Sequence, residues 1–554
     1  PEINQEYDVY IKTVFNELKG ILKDDKLVAI FEEYNKAKRH KESLGEKGLY
    51  EQAKINARFY SGDQWYGVSG GNDRPLVRHN VIKRIGDFKM TQTAADMPGI
   101  TYVAHGTESS GRVKSLKDTV KDGEFSFSGE VSDDELIAVC KALDEHYRFC
   151  ALRVDLDTLA AKVLRNSYIS GSGVLYTYFD SEADTGLTVD GNRITGDIAC
   201  EVLDIADVYF GAASEPDVQS QPYIILAAMQ DKEALLAAAN RFGTAKAVKD
   251  LKADDDGRVL VLTKLFKVYG EDGASVHCIR VTEDGYLREE YDTRLHLYPL
   301  CVFRFGESDN SAYGESEITY LIPNQIAINR MITASVWSNI STGMPIMVVN
   351  GDTVSGEISN DPGQIIKIYG SNEDVSGAVK YVTPPDSSGG IVAAVNDLIE
   401  NTLTQSGANP AALGDESAQN ASAISKLQAA ALMPLNVLKW RFKDFLNQNA
   451  RIWADFWLNL YGNRKIKIED ENGTWYFPFN AGRYKDKSIG TAVKSAERAS
   501  FTAEQTVAAL ANLYDKGIIT AAQYLSRLPD ALIPKRQELI SDIKEKTDET
   551  DKHI

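Results

Sequence analysis

GESEITYLIPNQIAINRMITASVWSNIS, residues 314–341, is the stretch from which the rest of the chain can be read. Between Glu317 and Asp352 its only charged side chain is Arg330. Ile326, Ile328, Ile332, Val336, Trp337 and Ile340 are spread around the circumference of the helix this pattern predicts. Such a helix cannot face water on most sides and has to be packed among others. The next helical segment, GGIVAAVNDLIENTLTQ (389–405), is short. Neighbouring copies of the same chain are therefore the expected cover, and the expected assembly is a ring.

Between these helices, residues 344–383 hold three short strand candidates, at 345–350, 364–369 and 380–383. Three strands make a marginal sheet whose open edges invite pairing with another chain. After the second helix comes SGANPAALGDESAQN (406–420), a loop stiffened only by Pro410 and charged only at Asp415 and Glu416. A long helix over 421–461 follows. Its apolar positions Ile424, Leu427, Ala431, Leu435, Leu438, Phe442, Phe445, Ile452 and Phe456 step by threes and fours, with Asn449 in the one polar slot. At 1.5 Å per residue it reaches roughly 60 Å. Pro434 removes a backbone donor in its middle and predicts a kink, and Gly462 is a natural stop.

Helix, strand cluster, helix, loop, long helix: this order, with these residue types, resembles the portal (head–tail connector) proteins of tailed bacteriophages. The resemblance rests on YGESEITYLIPNQIAINR (313–330) and NASAISKLQAAALMPLNVL (420–438). FYSGDQW (59–65) and GIITAAQYLSRLPDALIPKRQELI (517–540) support it. It implies an α+β portal fold: a wing at 1–313, stem helices at 314–343 and 388–405, a β clip at 344–387 and a tunnel loop at 406–420. The kinked tunnel helix at 421–462, wing return strands at 463–495 and a helical crown at 496–554 complete it.

The resemblance further implies a non-enzymatic homo-oligomer, a dodecamer in mature particles, at one capsid vertex of the virion, assembled in the host cytoplasm. Double-stranded DNA passes through its channel during packaging and ejection. The implied partners are the terminase large subunit, the major capsid and scaffolding proteins, and head–tail adaptors. The candidate channel residues are Ser406, Asn409, Asp415, Glu416, Gln419 and Asn420. Arg330, Ile332, Trp337, Asp397 and Glu400 are candidate stem contacts between subunits. Asn350, Asp352, Glu357 and Asp361 are candidate clip docking residues. Alternative readings are another ring-forming head–tail connector or adaptor, and a hydrolase built on acidic clusters; for 406–420 the alternative is a plain surface connector.

The remaining chain fits an α+β organisation. Residues 1–60 show helical spacing (Val9, Ile11, Val14, Phe15, Leu18, then Leu27, Ile30, Phe31). FYSGDQW reads as an aromatic cluster on a glycine turn. RPLVRHNVIKRI (74–85) carries Arg74, Arg78, Lys83 and Arg84, a face for solvent, for a neighbouring subunit or for phosphate. Residues 132–170 read as helical, with SDDE placing carboxylates at a helix start. Short β-branched and aromatic runs between 174 and 306, interrupted by a helix over 231–242, predict mostly antiparallel strands. KIKIEDENG and TWYFPFN (465–480) predict a hairpin, and Thr502 with Gln505 and Thr520 with Gln523 predict two capping boxes. Pro534 suits the first turn of a last helix, and the end TDETDKHI is expected to be loose.

Composition excludes several classes. With 554 residues, 43% hydrophobic and 25% charged, the chain is that of a folded protein of about three or four domains. A net charge of −19 argues against a broad basic surface gripping DNA, though not against a channel through which DNA slides. Residues 315–435 hold twelve acidic against four basic side chains, a net of −8, and residues 436–465 reverse to a net of +4. A wall of the first sign repels phosphate.

Five scattered cysteines without a CxxC pair predict neither a disulfide framework nor a zinc site. The start, PEINQEYDVYIK, has no signal-peptide pattern, and the longest uncharged run, 331–351, is too polar for a membrane span. No phosphate loop, HExxH or GxSxG is present, and no cofactor is expected. The seven histidines show no ligand spacing, His277 and Cys278 fall on opposite strand faces, and 133–135 and 254–256 read as solvated acidic clusters.

Overall fold

The computed structural model describes residues 25–66, 76–95, 99–104, 131–189, 192–242, 251–271, 273–308, 310–342, 346–349, 352, 354–355, 367–368, 379–382, 388–408, 432–470, 473–485, 489–494 and 503–528. They form a mixed α+β fold with many helices and open antiparallel sheets, in two units, 1–492 and 493–554.

The first unit opens with helices α1 (Asp25–Glu42), α2 (Leu49–Ser61) and α3 (Val81–Ala94), then strand β1 (Gly99–Ala104). The segment 132–170, read as helical throughout, is two helices: α4 (Asp133–Arg153) and α5 (Leu156–Ser170). They part at Asp155, in the left-handed region at φ 52, a conformation that Asp tolerates better than most residues. The Ser132 side chain caps α4 by accepting from the Glu135 amide, as the SDDE pattern predicts.

β2 (Ser172–Val189) pairs with β3 (Asn192–Asp204) on one side and β9 (Leu300–Arg304) on the other. β4 (Val208–Phe210), β5 (Tyr223–Asp231), β6 (Arg258–Gly270), β7 (Gly273–Thr282) and β8 (Gly285–Asp292) form a five-stranded antiparallel meander, with α6 (Lys232–Phe242) between β5 and β6. β8 was not among the expected strands. GYLREEYD carries four charges, which disguise it, yet it is the sheet's edge, where exposed charge blocks further pairing.

Alternation on β6 explains why this sheet is covered on both faces. Leu262 turns toward α1 (Leu27, Ile30, Phe31, Tyr34), whereas Val259 and Val261 turn toward Leu235 and Ala239 of α6. At the end of α1, Lys41 is fully buried and donates to the carbonyls of Ile205 and Ala206 at 2.6 and 2.8 Å. Its ammonium lies 3.8 Å from the Tyr209 ring centre, and burial pulls its pKa well below the ordinary lysine value.

The central stretch is helix α7 (Glu317–Thr342), then short strands β10 (Ile346–Val349), β11 (Val354–Ser355), β12 (Lys367–Ile368) and β13 (Val379–Val382), then α8 (Ser388–Gln405). Here the expectation of three strands is corrected. Among the described residues there are four, in two separate ladders, β10 with β13 and β11 with β12. The two-residue β11 is too short to leave a periodic trace.

A 3₁₀ turn at Met433–Leu435, with Pro434 where no backbone donor is needed, leads into α9 (Asn436–Leu460). Leu438, Phe442, Phe445, Ile452 and Phe456 are all buried, as their spacing predicts, and Trp453 and Trp457 are fully enclosed. Asn449 is fully buried too, with neither polar side-chain atom hydrogen-bonded. Gly462 ends the helix at φ 62. The expected hairpin is β14 (Asn463–Asp470) with β15 (Gly473–Asn480), followed by a helical turn α10 (Ala481–Tyr484) and by β16 (Ile489–Lys494), which pairs with β1.

In the second unit α11 (Ala503–Asp515) ends near Gly517 (φ 69), and α12 (Ala521–Arg527) starts with the expected Thr520/Gln523 capping box. Thr502, the last helix expected after Pro534 and the helical spacing over residues 9–18 lie outside the described residues. Among the described residues no helix is long and apolar enough to cross a membrane.

Candidate functional site

α7 is held at its base by polar groups at helical spacing. Gln325, Asn329 and Thr333 are four residues apart and share one face. The Gln325 Oε1 accepts from the amides of Val81 and Ile82 at 2.9 and 3.2 Å, and its Nε2 donates to the His79 carbonyl at 2.6 Å. The Asn329 Oδ1 accepts from the His79 amide at 3.0 Å, and the Thr333 hydroxyl accepts from the Val77 amide at 3.0 Å. Segment 77–80 and the first-turn amides of α3 thus gain hydrogen-bond partners on α7.

FYSGDQW completes this joint. Gly62 turns the chain at φ 98, the Gln64 Oε1 accepts from Asn329 Nδ2 at 2.7 Å, and the Trp65 Nε1 donates to the Val77 carbonyl at 3.0 Å. Lys89 of α3 pairs with Glu317 in the first turn of α7 at 2.6 Å, and burial raises the Glu317 pKa. The stripe Gln325/Asn329/Thr333 was missed in the sequence, although its i, i+4, i+8 spacing on an apolar helix is a legible signal. On the opposite side of segment 77–82, Arg78, Lys83 and Arg84 are exposed; Arg74 lies outside the described residues.

Beside and beyond the joint the same helix is less covered. Arg330 is exposed, Ile332 and Trp337 are half-buried, and Ile340 is 56% exposed. α8 packs back along α7, with Asn324 Nδ2 donating to the Thr402 hydroxyl at 3.2 Å. Asp397 and Glu400 are exposed on α8. Ser406 donates to the Leu403 carbonyl at 2.8 Å, and Gly407 follows at φ 79. A Cβ on Gly407 would lie 3.3 Å from Pro434 Cβ, so the end of α8 and the turn before α9 touch.

Asp352 is exposed in a turn. Asn409, Asp415, Glu416, Gln419 and Asn420 lie outside the described residues, as do Asn350, Glu357 and Asp361.

One cluster corrects the statement that no histidine shows ligand spacing. His146 and Cys150, four apart on α4, meet Asp197 of β3 in a buried group. Its members already satisfy one another. The Tyr461 hydroxyl donates to Asp197 and lies 2.9 Å from His146 Nε2, and Arg153 pairs with the other Asp197 oxygen at 3.2 Å. Burial lowers the His146 pKa to about 4 and raises the Cys150 thiol. The group knots α4, β3 and the end of α9 together.

Of the acidic clusters, Asp133, Asp134, Asp254, Asp255 and Asp256 are exposed as expected, and Glu135 is the exception. Glu135, expected at a solvated face, is 8% exposed and receives Arg483 at 2.7 Å and the Tyr484 hydroxyl at 2.8 Å, while Asp254 holds turn amides of Asp256 and Arg258. Arg483 keeps the Glu135 pKa below the usual carboxylate range. His277 pairs with Glu290 while Cys278 is buried, on opposite faces of β7 as expected. All five cysteines are free.

The described residues thus combine an α+β body with a packed helix pair, α7 and α8, between which the chain forms short β ladders. The model of the phage P22-like portal protein family matches residues 231–517, more than half of the chain, from α6 through α11. The chain belongs to that family. It is accordingly a virion protein of the head–tail connector, not an enzyme. No curated protein matches it. Two solved structures similar to it are the virion of a native gene transfer agent particle and the neck of an empty such particle. The first shows 11% identity and TM-score 0.33 over 84% of this chain and 97% of the other, the second 12% and 0.32 over 86% and 100%.

Proposed function

We propose that copies of this chain form a closed ring, a dodecamer in the mature particle, whose axial channel carries double-stranded DNA into and out of a capsid. The observation that carries this reading is α7, anchored to its own chain at the base and incompletely covered beyond it. The net −8 of residues 315–435 supports a wall along which phosphates slide without sticking.

In this reading α7 and α8 are the stem, and residues 344–387 are a clip that docks the terminase large subunit and head–tail adaptors through Asn350, Asp352, Glu357 and Asp361. The wing meets the major capsid and scaffolding proteins, and residues 496–554 form the crown. Residues 406–420 face the constriction, with Ser406, Asn409, Asp415, Glu416, Gln419 and Asn420 touching DNA weakly. The adjacency of Gly407 and Pro434 supports a loop that leaves and re-enters at one point.

Negative-stain images of the purified full-length protein test the ring: annular particles with a central hole are expected, and particles of single-chain mass sink it. Changing Asp415 and Glu416 to Lys adds four positive charges per subunit at the proposed constriction. Salt-sensitive DNA retention and stalled packaging are expected. Packaging equal to wild type at low and high salt removes 406–420 from the constriction.

A further inference from the structure

Three charged side chains on the α7–α8 pair have no ion-pair or hydrogen-bond partner among the described residues: Arg330 on α7, and Asp397 and Glu400 on α8. All three are exposed, and opposite charges on two packed helices would ordinarily meet. Helix geometry explains why they do not.

Asn324 and Thr402 mark where the two helices face each other, in contact at 3.2 Å. At 100° per residue, Arg330 lies about 120° round α7 from that line, while Asp397 and Glu400 lie about 140° and 160° round α8. The cation is therefore on one flank of the pair and the carboxylates on the face turned away from α7. Their levels nevertheless agree. Arg330 is six residues along α7 from Asn324, about 9 Å, and Asp397 is five residues back along α8 from Thr402, about 7.5 Å in the same direction because the helices are antiparallel. Glu400 stands about 3 Å from the reference level.

We propose that Arg330 of one copy pairs with Asp397 and Glu400 of the next, so that these charges set the register of neighbouring stems. The inference rests on the ring reading above. Rotation about a ring axis carries each copy to the next without a rise, so a head-to-tail contact joins groups at equal height on opposite edges. That is how these charges are disposed when the helices run along the axis. The half-buried Trp337, seven residues beyond Arg330 and on the same flank, supplies apolar area beside the pair. Complementary charge of this kind fixes partner choice and register more than it adds affinity.

The test uses full-length protein and three preparations: Arg330→Glu, Asp397→Lys/Glu400→Lys, and an equimolar mixture of the two, each scored for rings by mass photometry. Either variant alone places like charges at every contact, and a loss of about tenfold or more in ring fraction is expected. In the mixture, alternating copies restore opposite charges at every contact, so rings return toward the wild-type fraction. Unchanged circular dichroism of each variant shows that the exposed substitutions leave the fold intact. Rings from either variant alone at the wild-type level overturn the pairing, as does a mixture no better than its components. A wild-type protein that never forms rings overturns the ring reading itself, which the other outcomes leave standing.

Discussion

α7 and α9 are nearly equal in length, 26 and 25 residues, yet they solve opposite problems. α9 has six of its own chain's aromatic side chains within the helix, and the large ones on its inner face are fully enclosed. Phe442 and Phe445 stack at 6.1 Å and meet Phe303 of β9, while Trp453 lies against Tyr147 of α4. α7 has little charge to spend on solvent, keeps its polar groups for a joint at its base and leaves Ile332, Trp337 and Ile340 incompletely covered. Amphipathic periodicity marks a helix satisfied by its own chain, and in the ring proposed above charge depletion without a clear stripe is what a helix covered by another chain would show.

The largest effect expected is on α9. Phe442→Ala empties a site that is 1% exposed and should cost about 3–5 kcal/mol, read as a lower unfolding midpoint of the isolated chain. A midpoint shift no larger than that of a surface substitution would remove α9 from the core. On α7 the corresponding change should act on assembly. Ile332→Asp with Trp337→Asp places unpaired charge in the contact between copies, so rings should vanish by mass photometry while the isolated chain keeps its helical content. Normal rings from this double variant would show that the stem assignment is wrong.

A third variant, Gln325→Leu, separates the base of α7 from its outer half. It removes the side-chain acceptor of the Ile82 amide and leaves the Val81 amide only the His79 carbonyl at 3.0 Å, at a cost of about 1–3 kcal/mol. Faster hydrogen exchange should be confined to residues 77–82, and unaltered protection there would show that the joint is held by packing alone.

The smallest effect is a pH dependence at α9. The hydrogen bond to Asp455 raises the His296 pKa above its ordinary 6.5. A raised folded value means that this stabilisation is complete below the unfolded value of about 6.5 and is lost as pH rises through the folded one. Asp455→Asn should flatten that slope, and an unchanged stability–pH profile would refute the link.

Sequence alone carried the fold far where one period dominated. The steps of three and four over Leu438 to Phe456, the alternation in β6 and the Thr520/Gln523 box each point to one local structure, and each is found. It failed where long-range pairing decides. GYLREEYD becomes a strand because β7 supplies partners, and the two residues of β11 exist only against β12. Polar side chains were harder still. Gln325, Asn329 and Thr333 look like neutral interruptions of an apolar helix until the amides of Val77, His79, Val81 and Ile82, some 245 residues earlier in the chain, are seen to bond to them. His146, Cys150 and Asp197 meet through the packing of α4 on β3, and only the four-residue spacing of the first two is visible beforehand. For the proposed contact the sequence marked Arg330, Asp397 and Glu400, while helix geometry was needed to show that they face apart on α7 and α8.

The contact between Gly407 and Pro434 has a consequence for how this chain tolerates change. A connection that must bridge a gap has a minimum length, whereas here entry and exit are close neighbours, since a Cβ added at Gly407 would lie 3.3 Å from Pro434 Cβ. Residues inserted or deleted between 409 and 431 alter no distance that α8 or α9 must span. Doubling a freely closing loop costs only about 0.6 kcal/mol. α8 and α9 can therefore stay constant while the sequence joining them lengthens, shortens or changes composition.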